Sequence, residues 1–434
     1  MKKAKHLLPL FIALLSIAPL WAQEGAVLPL SLAEAQQYAV EHNYALQNAS
    51  LNVKKAEAAK WQTLSSMLPQ ISSSFDYSNM LGYEMSFMNG ISIPLNPYGT
   101  FAMTASVALS ASQIMGTVMN DISLRMSDIT QKQSELTTRT GVKSVYTSIL
   151  VMEDVVKLLD SSLNNMNTLL EATRKSAQAG AIENIEVDKL TVQVATLRNS
   201  ITANRRSLKM LYSSLILQLG ADANTQLVLT TPLDRIMNVD QVAQLTQGNF
   251  KLEDNYNYQL LLQNEDMAQK QVTNAWLQFT PSLRVFYQYN NKTYFGRDEG
   301  MNMTPPQMVG ASISLPLFQS GSRLSAIRQA KISQQVTANT KRQTEDALQV
   351  EYNQDCYNLV SALESYQIQK ENLAVTKRVL DNTSSKYRTG YASNLEVTNA
   401  STDFITAQSN YVQAVMQVVT AQIALENLLG ESNK

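Results

Sequence analysis

The sequence predicts a mainly α-helical protein with a small β part, in which long coiled-coil helices carry a short set of membrane-spanning strands. Three observations carry that prediction. The chain opens like a secreted protein, its helices follow heptads within a unit written twice, and four further segments alternate with period two.

The N-terminus sets the compartment. Lys2, Lys3 and Lys5 precede an apolar run from Leu7 to Leu20, and Ala22 offers a small residue before Gln23. Basic start, short apolar run and small residue together describe a secretory signal peptide over 1–22, too short to anchor in a membrane. The residue after the expected cut is Gln23, so no cysteine stands there to carry a lipid. No later stretch is expected to reach the roughly 18 apolar residues of a spanning helix, so a membrane crossing would require a β-barrel.

Composition excludes several classes. With 35 basic against 36 acidic residues, the chain lacks the basic excess that a nucleic-acid partner demands. Cys356 is the only cysteine, so no intramolecular disulfide is available, and His42 is the only histidine left after processing. A Cys/His metal site, a Cys–His pair and a Ser–His–Asp triad all need more than this. The expectation is a non-enzyme with no catalytic residues, no metal and no cofactor.

The duplication organises everything else. A displacement of about 210 residues aligns Gln47 with Gln259, Pro69 with Pro281, Tyr77 with Tyr289, Gly180 with Gly390, Glu186 with Glu396, and Leu219-Gly220 with Leu429-Gly430. The chain thus divides into a signal peptide (1–22), an N-terminal segment (23–42), a first repeat (43–220), a connector (221–254), a second repeat (255–430) and a tail (431–434). Each repeat reads as helix, strand pair, long helix, tight turn, helix.

The helices are read from a 3-4 seam. Val397, Phe404, Tyr411, Val418 and Leu425 step by seven, and Ala400, Ala407, Ala414, Ala421 and Leu428 step by seven between them. That is the period of a left-handed coiled coil, and the alanine row lets backbones approach closely. Val187, Val194, Ile201, Leu208 and Leu215 repeat the large row in the first half. Neither 116–178 nor 321–386 contains a proline, so each can run as one helix of about 95 Å at 1.5 Å per residue. A short helix before the strands and another after the turn, laid end to end, match that length.

The strands are read from alternation. Ile71, Phe75 and Tyr77 alternate with Ser72, Ser74 and Asp76, and Phe101, Met103, Ala105, Val107 and Leu109 with Thr104, Ser106 and Ser110. Leu283, Val285, Tyr287 and Tyr289 alternate with Arg284, Gln288 and Asn290, broken by Phe286, and Val309 to Leu317 alternates with Ser312 and Ser314. Segments of about ten residues with one apolar and one small polar face fit transmembrane strands. Four strands cannot close a barrel, and open edges are not tolerated in lipid, so the chain must oligomerise. Two, three or four copies would supply about 8, 12 or 16 strands, and these residues alone do not choose.

Taken together, the repeated Ala179-Gly180…Ile185-Glu186-Val187 and Lys386-Tyr387-Arg388-Thr389-Gly390…Leu395-Glu396-Val397, with Leu-Pro-Gln-Ile at 68–71 and Leu-Pro-Leu-Phe at 315–318, resemble the TolC-type outer-membrane efflux protein family. The resemblance implies a homotrimer whose 12 strands form a barrel continuous with a periplasmic helical barrel, with 23–42 and 221–254 in a surrounding belt. It implies passive export of drugs, metals, small molecules or proteins through a duct in the outer-membrane lipid, with the energy supplied by an inner-membrane pump joined through a periplasmic adaptor protein. It places adaptor contacts at the tips, at Gly180, Ala181, Gly390 and Tyr391. It makes Glu396 a lumenal acid of the aperture, with Asn399 where a second acid is usual; Asp403, one heptad beyond Glu396, is expected to supply another carboxylate on that face. A latch between Tyr387 and Glu186 is implied, whereas the companion Arg–Thr link falls on Ala392 and Ile185 and is absent. Against this stand a non-conducting coiled-coil anchor or adhesin, and, for the tip charges, an ordinary solvated helix face.

Overall fold

A computed structural model describes residues 27–86, 92–94, 96–236, 239–248, 250–295 and 305–430. The signal peptide, residues 23–26 of the N-terminal segment and the tail lie outside the described residues. The elements run β1 (Val27–Leu30), α1 (Leu32–His42), α2 (Tyr44–Ser65), β2 (Gln70–Ser78), β3 (Glu84–Ser86), β4 (Ser92–Pro94), β5 (Tyr98–Leu109), α3 (Ala111–Gln178) and α4 (Asn184–Leu219). After them come β6 (Gln226–Leu229), α5 (Leu233–Ile236), α6 (Val239–Gln244), α7 (Tyr256–Leu277), β7 (Ser282–Tyr294), β8 (Gln307–Ser314), α8 (Ser322–Arg388) and α9 (Asn394–Leu429).

The long helices α3 and α8 hold 68 and 67 residues, about 100 Å each. Along their lower halves α3 packs on α4 and α8 on α9, and along their upper halves α3 packs on α2 and α7, and α8 on α7. The predicted seam is the buried one: Val397, Phe404, Val418 and Leu425 are buried, as are Ala400, Ala407, Ala414 and Leu428. Each large member contributes on the order of 1.5–3 kcal/mol through its removal from water.

The end-to-end stacking of short helices has a specific joint, and both repeats use it. Gly220 ends α4 and Gly430 ends α9 in left-handed backbone, at φ 70° and 71°. A side chain there would run into the carbonyl oxygen of His42 or Asp254, so only glycine admits the next helix so closely. Asn43 and Asn255 then cap α2 and α7. The side-chain oxygen of each accepts from the helix it starts, while its Nδ2 donates to the helix below, at Gln218 O (2.7 Å) and Leu428 O (2.8 Å). One residue therefore satisfies orphan groups of both helix ends.

β1 and β6 pair in parallel, which brings the N-terminal segment against the connector. Tyr146 of α3 pins them: its buried hydroxyl donates to Leu30 O (2.9 Å) and accepts from the N–H groups of Thr230 and Thr231 (3.1 and 3.0 Å). A second long-range tie joins the repeats. Lys143 Nζ lies 2.6 Å from Glu426 Oε1 with both side chains buried, and Gln422 donates to the same oxygen at 2.8 Å.

The main sheet is an antiparallel meander in the order β2-β5-β7-β8, so the two repeats meet at the β5–β7 pair. A short β3–β4 hairpin stands apart from it. Two expectations are corrected. The fourth strand was expected to reach Leu317 but ends at Ser314. Ser282, the first residue of β7, already faces Ser314, and Pro316 has no N–H to continue a ladder. Second, α9 is apolar enough by composition to cross a membrane. Its apolarity comes from the doubled seam, and half of that window is buried in the coiled coil.

Candidate functional site

Two regions carry the chemistry, the sheet at one end of the helices and the helix tips at the other. In the sheet, residues facing each other across strands share a face. The register puts Ile71, Phe75 and Tyr77 beside Ala105, Phe101 and Gly99, then Val107 and Ala105 beside Val285 and Tyr287, and these beside Ala311 and Val309. Four separately read alternations thus fall in phase on one surface. Its side chains are open, Val309 at 75% and Ile313 at 74% exposure. The opposite face carries Ser72, Ser74, Asp76, Thr100, Thr104, Ser106, Arg284, Gln288, Lys292 and Ser312.

Phe286, which broke the alternation, lies on that polar face opposite Gly310. A Cβ on Gly310 would collide with the Phe286 ring, so the ring lies flat over a bare backbone. The exception in β7 and the glycine in β8 are one device.

At the tips, both long helices end alike. Ala181 N–H donates to Ser176 O and Tyr391 N–H to Lys386 O, each at 2.9 Å, around Gly180 and Gly390 at φ 76° and 79°. Nothing lies within 4 Å of where a side chain on either glycine would begin, so backbone conformation alone demands glycine here. Ala181 and Tyr391 are exposed, the latter at 85%.

The next helices start differently. At the second tip Ser393 caps α9: its hydroxyl accepts from Glu396 N–H at 3.3 Å, while Glu396 Oε2 accepts from Ser393 N–H at 2.6 Å. These backbone and hydroxyl hydrogen bonds, helped by Lys386, hold the Glu396 carboxyl below its ordinary value. At the first tip Glu183 occupies the cap position with no side-chain cap bond. Glu186 instead takes a hydrogen bond from Lys189 at 2.9 Å, which lowers its carboxyl despite partial burial.

The implied Tyr387–Glu186 latch is not made within the chain. Lys189, one turn along α4, claims the Glu186 carboxylate, and Tyr387 packs against the buried cluster that contains Leu190 and Val397, with its hydroxyl accepting from Thr173 at 3.3 Å. The tips are joined instead by Asn394, which is buried and donates from Nδ2 to Glu186 O at 2.9 Å. Glu396, Asn399 and Asp403 are exposed along α9 about a turn apart. Reading by motif missed Ser393, Asn394 and Thr173. Ser393-x-x-Glu396 was a legible capping box; Asn394 and Thr173 had no local signal, because their partners are distant in sequence.

Residues 255–431 match the model of the outer membrane efflux protein family. No curated protein sequence matches the chain. Among solved structures, the chain is similar to CusC, with a TM-score of 0.73 at 16% identity over 92% of each chain. It is similar to VceC, an outer membrane protein of Vibrio cholerae, with a TM-score of 0.70 at 16% identity, over 92% of this chain and 96% of that one. The open-state MtrE outer membrane channel of Neisseria gonorrhoeae gives 0.73 at 16% identity, over 92% and 88%. At such identity the likeness establishes the fold. The second repeat is thus a match to the outer membrane efflux protein family, and the chain as a whole has the fold of the TolC-type channels.

Proposed function

We propose that the chain is one protomer of a trimeric outer-membrane channel-tunnel, the passive exit duct of a tripartite efflux or type I secretion system. The register of the main sheet carries the reading. One face is apolar and open, the other carries the polar and charged residues, and among the described strands β2 and β8 are left as the edges of the sheet. Because four strands alternate in direction, β8 of one copy runs antiparallel to β2 of the next, so copies can add without reversing a strand. Three copies give about 12 strands, an even number as such barrels require.

In this reading the apolar face meets outer-membrane lipid and the helices extend into the periplasm. The β1–β6 pair and the connector form the belt. The tips at Gly180, Ala181, Gly390 and Tyr391 meet a periplasmic adaptor, and an inner-membrane pump supplies the energy. Glu396, Asn399 and Asp403 line the aperture, whose closure rests on Asn394–Glu186 and Thr173–Tyr387 contacts. The protein contributes a path and a gate rather than catalysis, and needs no cofactor. Native mass measurement of the detergent-extracted protein tests the assembly: three copies are expected, and a stable folded monomer in membranes would overturn it.

A further inference from the structure

We infer that the lumen of the barrel is electropositive and favours anionic solutes, with Arg284 and Lys292 as the selecting residues. The inference rests on the duct reading, since it needs the polar face of the sheet to enclose the path. The register places every charged residue of the four main strands on that face. Asp76 comes from β2 and Arg284 and Lys292 from β7, while β5 and β8 carry none. On these four strands of each copy, two cations therefore outweigh one anion.

Among the described residues, both cations lie over aromatic rings rather than against a carboxylate. Lys292 Nζ lies over the Tyr98 ring at 3.7 Å and the Tyr294 ring at 4.9 Å, and the Arg284 guanidinium lies 5.9 Å from the Phe286 ring. Aromatic faces hold a cation in place without cancelling its charge, as a carboxylate would. Gly310 lets the Phe286 ring lie flat, so the support for Arg284 is built into two strands. Asp76 faces Thr100, and Thr100 faces Lys292, which separates Asp76 from Lys292 by two strand spacings, about 9–10 Å. Ser74 donates to Asp76 at 3.2 Å. Arg284 and Lys292 stand about 27 Å apart along β7 at ~3.4 Å per residue, so assembled copies would place a basic ring near each end of the barrel. Low-dielectric walls focus such fields into the path.

The test is the reversal potential of the reconstituted full chain in a planar bilayer under a potassium chloride gradient. Neutralising Arg284→Gln and Lys292→Gln together should shift it toward potassium selectivity, and Asp76→Asn should shift it toward chloride. Lys292→Arg, which keeps charge and stacking, should leave it in place. Both shifts should shrink at ~1 M salt, where the screening length falls to about 3 Å. Equal amounts of assembled protein in each variant separate selectivity from folding. Channels that conduct but whose reversal potential ignores all these changes would overturn the inference. An unmutated protein that passes no current would overturn the duct reading first, and the inference with it.

Discussion

The two repeats share a backbone and differ in what fastens it. Their upper joints are twins: Asn43 with Gly220 and Asn255 with Gly430 make the same bonds and the same close approach. Their lower tips are not. The second starts its helix with a reciprocal cap, and the first with an exposed Glu186–Lys189 pair. Near the upper joint the symmetry breaks once more, because Glu426, paired with Lys143, stands where the first repeat has Ile216. Duplicated architecture is thus kept by positions with no alternative to glycine or asparagine, while divergence collects where a coiled coil accepts several solutions.

The largest expected effect is at the fastening that only the second repeat supplies. Lys143→Met leaves Glu426 buried without its cation and should cost about 3–5 kcal/mol, whereas Lys143→Met with Glu426→Leu should recover most of it, as read by denaturant unfolding. If the single variant is as stable as the parent, the pair is not a fastening between repeats. Next come the glycines. Gly220→Ala and Gly430→Ala should each cost more than the about 1–2 kcal/mol of left-handed backbone, since both also meet a carbonyl. Gly180→Ala and Gly390→Ala should cost only that backbone term. Equal melting shifts in all four would show that the joints are not closely packed.

A smaller effect tests the tips directly. Ser393→Ala should cost about 1 kcal/mol, while Glu183→Ser should stabilise the first tip by giving it the box that the second has. The smallest effect is in pH and salt. The Glu396 carboxyl is lowered in the folded chain, so its contribution is full above the ordinary glutamate range near ~4.3 and lost as pH falls through the lowered value. Protection factors of the amides at the start of α9, taken relative to the intrinsic exchange rate at each pH, should therefore fall in acid, and less so in Glu396→Gln. Salt should loosen the exposed Glu186–Lys189 pair at the first tip more than the cap at the second.

Legibility followed the range of the interaction. Heptads and alternation report periodic burial, so Phe404 and Leu425 in the seam and Val309 and Ile313 on the sheet were readable one by one. Strand β8 ended early because its partner began at Ser282, a fact of pairing that no window over 309–317 contains. At the tips, the positions expected for a latch exist, but Lys189 and Thr173 compete for Glu186 and Tyr387, and such competition is decided in three dimensions. Phe286 looked like noise in β7 until Gly310 faced it across the ladder.

If the chain is a duct, this sheet, repeated in identical copies, encloses a path through a membrane. Single-channel recording of the purified assembly in a planar bilayer tests it most directly. Discrete conductance steps are expected in the unmutated protein, abolished with membrane insertion by Val309→Arg on the apolar face and retained in Ser312→Arg on the polar one. Insertion of intact trimers with no conductance in either the unmutated protein or Ser312→Arg would contradict it and leave an anchored coiled coil in its place.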